Sequence, residues 1–239
     1  MRMVCLGDSV TRGVSYVRGR LRIVKNNYPA LLQSEVMETY PVEVLNKGVF
    51  NDNSDGLVHR FEKDVLESGA DVVLVEIGGN DCNFRWDEVA LRPDSEHAAI
   101  VPLERYLSNL TKIVETCRKA GIIPVVLTIL PLDPIRYYKH ISSQYGQNIA
   151  HWIGVCGGIE HWHGMYNRAL KQLVQYLNIL SIDVRTGFER AGNLADLLSD
   201  DGVHPTETGY QVLSQLVAQE MRAVLTGHLI PSPISQTRA

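Results

Sequence analysis

Short, near-continuous apolar runs alternate with longer stretches of helical period from one end of this 239-residue chain to the other. Five runs read as strands: Met3 to Leu6, Val42 to Asn46, Asp71 to Ile77, Ile123 to Ile129, and Ile179 to Val184. Their apolar residues barely alternate with polar ones, so both faces of the sheet they form should be covered by helices. Between them, Tyr28 to Glu38 carries Leu31, Leu32 and Val36 and stops before Pro41. Gly56 to Ser68 puts Leu57, Phe61, Val65 and Leu66 on one stripe closed by Gly69. Leu103 to Ala120 is clearest, with Leu103, Tyr106, Leu107, Leu110, Ile113, Val114 and Cys117 on one face and Gly121 as cap. Met165 to Leu177 and Thr206 to Leu225 complete the set. Strands alternating with helices predict repeated βα units around a parallel sheet, an α/β protein.

No internal repeat or linker-like change of composition interrupts this order, so residues 1–226 read as one domain. The tail 227–239, with Pro231 and Pro233 followed by Ser, Gln and Thr, reads as an extended end. The stretch from Pro131 to Gly164 departs from the scheme: it is rich in Tyr, His, Trp and Gly and far exceeds ordinary connection lengths. A loop of that size at about 131–164 is expected to be a lid or a binding wall, and its aromatics also suit contact with a second copy of the chain.

Composition narrows the class. With 45% apolar and 21% charged residues the chain is globular rather than disordered. Twenty-three Lys and Arg against 27 Asp and Glu leave a net charge of -4, which argues against nucleic acid as a partner. No run reaches the roughly 20 apolar residues of a membrane helix. The start, Met1-Arg2-Met3-Val4-Cys5-Leu6 and then Gly7-Asp8, lacks the apolar core of a signal peptide, so a cytoplasmic location is expected. Cys5, Cys82, Cys117 and Cys156 are widely spaced and read as free thiols, which suits that compartment.

Ligands of an open parallel sheet sit outside the carboxyl ends of its strands. After the first strand comes Gly7-Asp8-Ser9, after the second Asn46-Lys47-Gly48, after the third Gly78-Gly79-Asn80-Asp81, and before the last helix Asp200-Asp201-Gly202-Val203-His204-Pro205. Ser9 at a strand-to-helix turn exposes a hydroxyl, which becomes a nucleophile only when a base takes its proton and a third group fixes that base. His204 and Asp201 supply both. The N–H groups of Ser9 and Gly48 and the amide of Asn80 are candidate donors to an acyl oxyanion. Asp8 is read as holding the turn; with Asn51, Trp152 and Trp162 it is also a candidate substrate contact.

The four blocks Gly7-Asp8-Ser9, Gly48, Gly78-x-Asn80-Asp81 and Asp201-x-x-His204 resemble those of the SGNH hydrolases, the GDSL esterase/lipase family, over residues 3 to about 225. The resemblance implies a flavodoxin-like three-layer α/β/α sandwich with a five-stranded parallel sheet in the order 2-1-3-4-5. It also implies hydrolysis of small-molecule acyl esters or thioesters without metal or other cofactor. By it Ser9 is the nucleophile, His204 the base, Asp201 its orienter, and Ser9, Gly48 and Asn80 the oxyanion donors. The family's second block often reads Gly-x-x-Gly, whereas here Asn51 takes the last position; Asn tolerates the left-handed turn.

Four other readings compete. Asp200 is an alternative orienter, disfavoured by the spacing. His140, His151, Cys156, His161 and His163 raise a zinc site, but they match no tight ligand spacing, and the neighbouring aromatics favour a binding wall. A metal-dependent phosphoesterase and an inactive binding module on the same fold are the rival functions.

Overall fold

The computed structural model describes residues 1–37 and 40–227. In chain order its elements are β1 (Arg2–Gly7), α1 (Ser9–Arg12), β2 (Val14–Val17), β3 (Arg20–Ile23), α2 (Tyr28–Met37), β4 (Glu43–Gly48) and α3 (Ser54–Phe61). A π-helical turn, Glu62–Leu66, prolongs α3. Then follow β5 (Val72–Glu76), α4 (Trp86–Leu91), α5 (Leu103–Lys119), β6 (Ile123–Leu127), α6 (Pro134–Tyr145) and α7 (Ile149–Val155). The last are α8 (Ile159–Tyr176), β7 (Leu180–Ile182), α9 (Val184–Ala191), α10 (Leu194–Leu197) and α11 (Glu207–Leu225).

Five strands form one parallel sheet in the order β4-β1-β5-β6-β7. Counting those strands alone, the order is the expected 2-1-3-4-5. Period-two alternation divides the strand residues between two cores. Val4, Leu6, Val73, Val75 and Val126 pack with Leu57 and Phe61 of α3, Leu110 and Ile113 of α5, and Leu170 of α8. Met3, Cys5, Val72, Leu74, Leu127 and Ile182 pack with Leu32 of α2, Phe188 of α9, and Leu213, Val217 and Met221 of α11. The result is a three-layer α/β/α sandwich. Each such side chain contributes roughly 1.5–3 kcal/mol by leaving water.

The sequence reading is corrected in four places. The stretch 131–164 is not an open loop: it contains α6, α7 and the start of α8, with Asp133 capping α6 through Ile135 N (3.0 Å) and Arg136 N (3.1 Å) and Pro134 in its first turn. Its aromatics Tyr137, Trp152 and Trp162 are buried rather than displayed. The last strand is shorter than Ile179 to Val184 because Asp183 caps α9, accepting from Thr186 N. A hairpin, β2 with β3, was not anticipated. It displays Arg18, Arg20 and Arg22 inside a run from Ser9 to Ser34 that holds no acid, so charge is less even than the composition suggests. The expected helix end at Glu38 and the tail beyond Gly227 lie outside the described residues. Among the described residues no helix is long and apolar enough to cross a membrane.

Candidate active site

The carboxyl ends of β1, β4 and β5 open on a cleft of about 350 Å³, closed on one side by α6 and α8. Ser9 is the first residue of α1, and Asp8 caps that helix by accepting from Val10 N at 2.9 Å. This places the Ser9 hydroxyl at the cleft floor, with its own N–H left over at the helix start. His204 Nε2 lies 2.9 Å from Ser9 Oγ, and His204 Nδ1 lies 2.6 Å from Asp201 Oδ2. Asp201, Ser9 and His204 thus form one hydrogen-bonded chain.

The loop that carries His204 is held from several directions. Asp201 Oδ1 accepts from Val203 N and His204 N, both at 3.1 Å. Gly202 O accepts from Asp133 N at 2.8 Å, and Arg136 Nη1 donates to Ala195 O and Leu198 O. Gly202 has φ +74°, and a Cβ there would meet Tyr137 N at 2.6 Å and Asp133 O at 2.7 Å, so only glycine lets the loop press against the start of α6. Burial alone would raise the Asp201 carboxyl, but the His204 hydrogen bond and charge, with the two N–H groups, hold it below the ordinary range. Asp200 is exposed and takes no part.

The other expected residues divide. Asn80 Nδ2 lies in the cleft and donates to Asp52 O at 2.8 Å and, more loosely, to Asp8 Oδ2 at 3.3 Å. Gly48 is not brought to the cleft, a correction to its assignment as an oxyanion donor. Its N–H donates to Asn46 Oδ1 at 2.9 Å, and a Cβ on it would stand 2.1 Å from Arg12 N. Glycine is needed there because β4 passes directly against the backbone of α1. Asn51, three residues on, is in the left-handed conformation (φ +58°) and lines the cleft. Trp162 lines it too, whereas Trp152 does not: the register of α7 turns it into the edge-to-face stacks with Phe84 and His97.

Two residues at this site gave no sequence signal. Arg60 of α3 donates to Gly7 O (2.8 Å), Lys47 O (2.8 Å), Asp52 Oδ2 (2.7 Å) and Asp64 Oδ2 (2.7 Å), tying together the ends of β1 and β4. Asp64 stands four residues on, an ordinary helical ion-pair spacing, but nothing in the sequence points to the two carbonyls or to Asp52, which bring Arg60 to the strand ends. Glu76, the last residue of β5, is buried beside Asp8 and accepts from Thr11 Oγ1 at 3.0 Å. Burial raises its pKa to about 7, and burial together with the Glu76 charge raises Asp8 well above the carboxylate range. Only the hydrophobicity of its strand neighbours marked position 76 as buried.

The histidine-rich stretch is dispersed. His140 stacks edge-on against Tyr16, His151 faces Asp94, His161 is exposed and His163 is buried against Arg185. Among the described residues no group of three or more His, Cys, Asp or Glu is arranged to hold a metal ion. Cys82 is buried, donates to Gly79 O, and burial pushes its thiol pKa up, so it stays protonated.

Residues 5–212 match the GDSL-like lipase/acylhydrolase family. The chain is 24% identical over 230 residues to an acetylxylan esterase of Geobacillus stearothermophilus, covering 92% of this chain and 93% of the relative. It is 25% identical over 224 residues to the uncharacterized lipoprotein YqeF of Bacillus subtilis, covering 88% and 85%. The crystal structure of a lipase/acylhydrolase from Enterococcus faecalis superposes with a TM-score of 0.68 at 18% identity, over 97% of this chain and 98% of that one. The lipoprotein relative overturns the cytoplasmic expectation. Composition and the count of apolar residues describe the folded domain and do not carry its address.

Proposed function

The chain belongs to the GDSL-like lipase/acylhydrolase family and is a serine-type hydrolase of carboxylic esters; on that premise we propose that Ser9 is its nucleophile, His204 the general base and Asp201 the residue that orients His204. The observation that carries this is the continuous chain from Asp201 Oδ2 to His204 to Ser9 Oγ, at 2.6 and 2.9 Å. His204 takes the Ser9 proton as Oγ attacks the acyl carbonyl, and Asp201 fixes the ring and stabilises the imidazolium that forms. His204 then returns the proton to the leaving alcohol. Water, activated by the same ring, releases the acyl group.

The oxyanion needs donors aimed at the developing charge, each worth on the order of 3–4 kcal/mol in the transition state. Ser9 N–H fills one place, and the Asn80 amide fills a second by giving up its looser bond to Asp8 Oδ2 (3.3 Å) while keeping that to Asp52 O. Asn51 N–H, in its left-handed turn on the cleft wall, takes the place that Gly48 does not reach. The same reading makes residues 1–226 one catalytic domain, supported by two cores that share a single sheet.

A short acyl group on a polar alcohol is the proposed substrate class, which the relative named acetylxylan esterase supports. The test is Ser9→Ala: hydrolysis of p-nitrophenyl acetate should fall by at least about 10³-fold with the fold unchanged by circular dichroism. Retained activity would remove Ser9 from the mechanism. A chain-length series of acyl esters run beside acetylated sugars then reads the acyl and alcohol preferences.

A further inference from the structure

His163 is a buried imidazole on the cleft wall that the proposed mechanism does not use. Its Nδ1 lies 3.0 Å from Arg185 Nη1. A guanidinium can only donate, so Nδ1 must accept with its lone pair and the ring proton must sit on Nε2. Arg185 is itself held, by Glu189 Oε1 at 3.2 Å on its Nε and by Thr128 Oγ1 at 3.0 Å on its backbone N–H. Burial and the Arg185 charge lower the pKa of His163 to about 3, so the ring stays neutral with a fixed tautomer.

Nε2–H is then an unspent donor. Among the described residues no hydrogen bond reaches it, yet it is not sealed away: the one buried side-chain nitrogen or oxygen without a partner among them is Trp152 Nε1. The space left to His163 Nε2 is therefore the cleft that the ring lines. The neighbouring polar groups on that wall are already engaged with each other. Asn83 Oδ1 accepts from Tyr137 OH at 2.7 Å and Trp86 Nε1 at 2.9 Å, and Trp86 Nε1 also lies 3.0 Å from Tyr137 OH. A neutral donor of fixed direction in a cleft that Trp86, Tyr137 and Trp162 also line would leave a polar group unsatisfied if plain alkyl were packed against it.

We propose that His163 determines substrate specificity: its Nε2–H donates to an oxygen on the non-reacting part of the ester, so the cleft favours substrates with a hydroxyl, ether or carbonyl acceptor at that point over their alkyl counterparts. Arg185 is a positioning residue that fixes the donor. This rests on ester hydrolysis at Ser9.

Two matched pairs locate the acceptor: p-nitrophenyl methoxyacetate against p-nitrophenyl butyrate on the acyl side, and 2-methoxyethyl acetate against n-butyl acetate on the alcohol side. Each exchanges one methylene for an ether oxygen. The readout is the ratio of kcat/KM within a pair, compared between wild type and variant, so that intrinsic reactivity and any loss of folded enzyme cancel. His163→Phe, with His163→Met as a second non-donor, should lower the ratio about tenfold on one of the two pairs. His163→Gln, whose amide can donate from a similar place, should keep it within about threefold. Ratios unchanged on both pairs in the non-donor variants, or an equal drop in His163→Gln, overturn the proposal. Ser9→Ala separates the two levels: if it remains active the underlying reading has failed, whereas an inert Ser9→Ala with unchanged ratios overturns the role of His163 alone.

Discussion

Asp201 is 3% exposed beneath His204, whereas its neighbour Asp200 faces solvent. Asp201→Asn keeps an acceptor for Val203 N and His204 N, so the loop should survive, but the amide no longer enforces the tautomer that leaves Nε2 free to accept from Ser9. We expect kcat to fall by roughly 10³–10⁴-fold, while Asp200→Asn stays within about twofold. Steady-state kinetics on p-nitrophenyl acetate decides it, and equal effects at both positions would dissolve the assignment. At this scale the positions of Ser9, Asn80, Asp201 and His204 were legible because each directly follows a strand or precedes the last helix, so topology alone gathers them at one edge. Gly48 and Asn51 were not separable in the same way. Which residue of a tight turn faces the cleft depends on φ, and it is Asn51, three residues beyond Gly48, that lines it.

Arg60 acts on whole elements. Its guanidinium is a fork whose donors reach the carbonyls that end β1 and β4 and the carboxylates of Asp52 and Asp64. Ser9 follows the first carbonyl by two residues, and Asp52, whose own carbonyl accepts from Asn80, follows Asn51. Arg60→Met should cost about 3 kcal/mol, because it strands partly buried carboxylates as well as removing their partner. Arg60→Lys should recover little, since a point charge cannot span these acceptors. Urea denaturation measures both, and a loss under about 1 kcal/mol in Arg60→Met would show that the strand ends hold without it. The long amphipathic helices and the buried strands were readable because burial stamps a period on them. The hairpin was not. Its two-residue turn, Arg18-Gly19, has φ of +51° and +76°, a geometry usually marked by Asn-Gly or Asp-Gly, and Arg at the first position hides it. The helices of 131–164 were obscured because their Tyr, His and Trp content reads as surface, although Asp133-Pro134 is a sound helix start.

At the scale of the molecule, the same pleat that sorts strand residues into two cores delivers Glu76 to the buried end of β5, beside Asp8 at the end of β1. Two carboxyls meeting in the core next to Ser9, the proposed nucleophile, make the stability of the whole fold sensitive to pH. The sign follows from proton binding. Glu76 moves from an ordinary 4.5 to about 7 on folding, and Asp8 is displaced in the same direction, so the folded state holds protons that the unfolded state releases. The favourable contribution of Glu76 is therefore complete below about pH 4.5 and is lost as pH rises through about 7, and that of Asp8 is lost in the same direction. Carboxylates held below their ordinary range, such as Asp64, Asp183 and Asp201, act in the opposite sense and lose their contribution only on the acid side. Between pH 5 and 8, Asp81, raised by burial to about 6, acts in the same sense as the pair, and His163, lowered to about 3, opposes it below about pH 6.5. The contribution of Glu76 is therefore read as a difference against a variant that lacks it. Glu76→Gln keeps an acceptor for Thr11 Oγ1 and carries no charge, so its stability should vary less with pH than that of the wild type across this interval. The difference between the two urea midpoints should grow in favour of the variant as pH rises. Parallel curves for wild type and Glu76→Gln would mean that Glu76 takes up no proton on folding, and its carboxyl would then be ionised in the folded state across this interval.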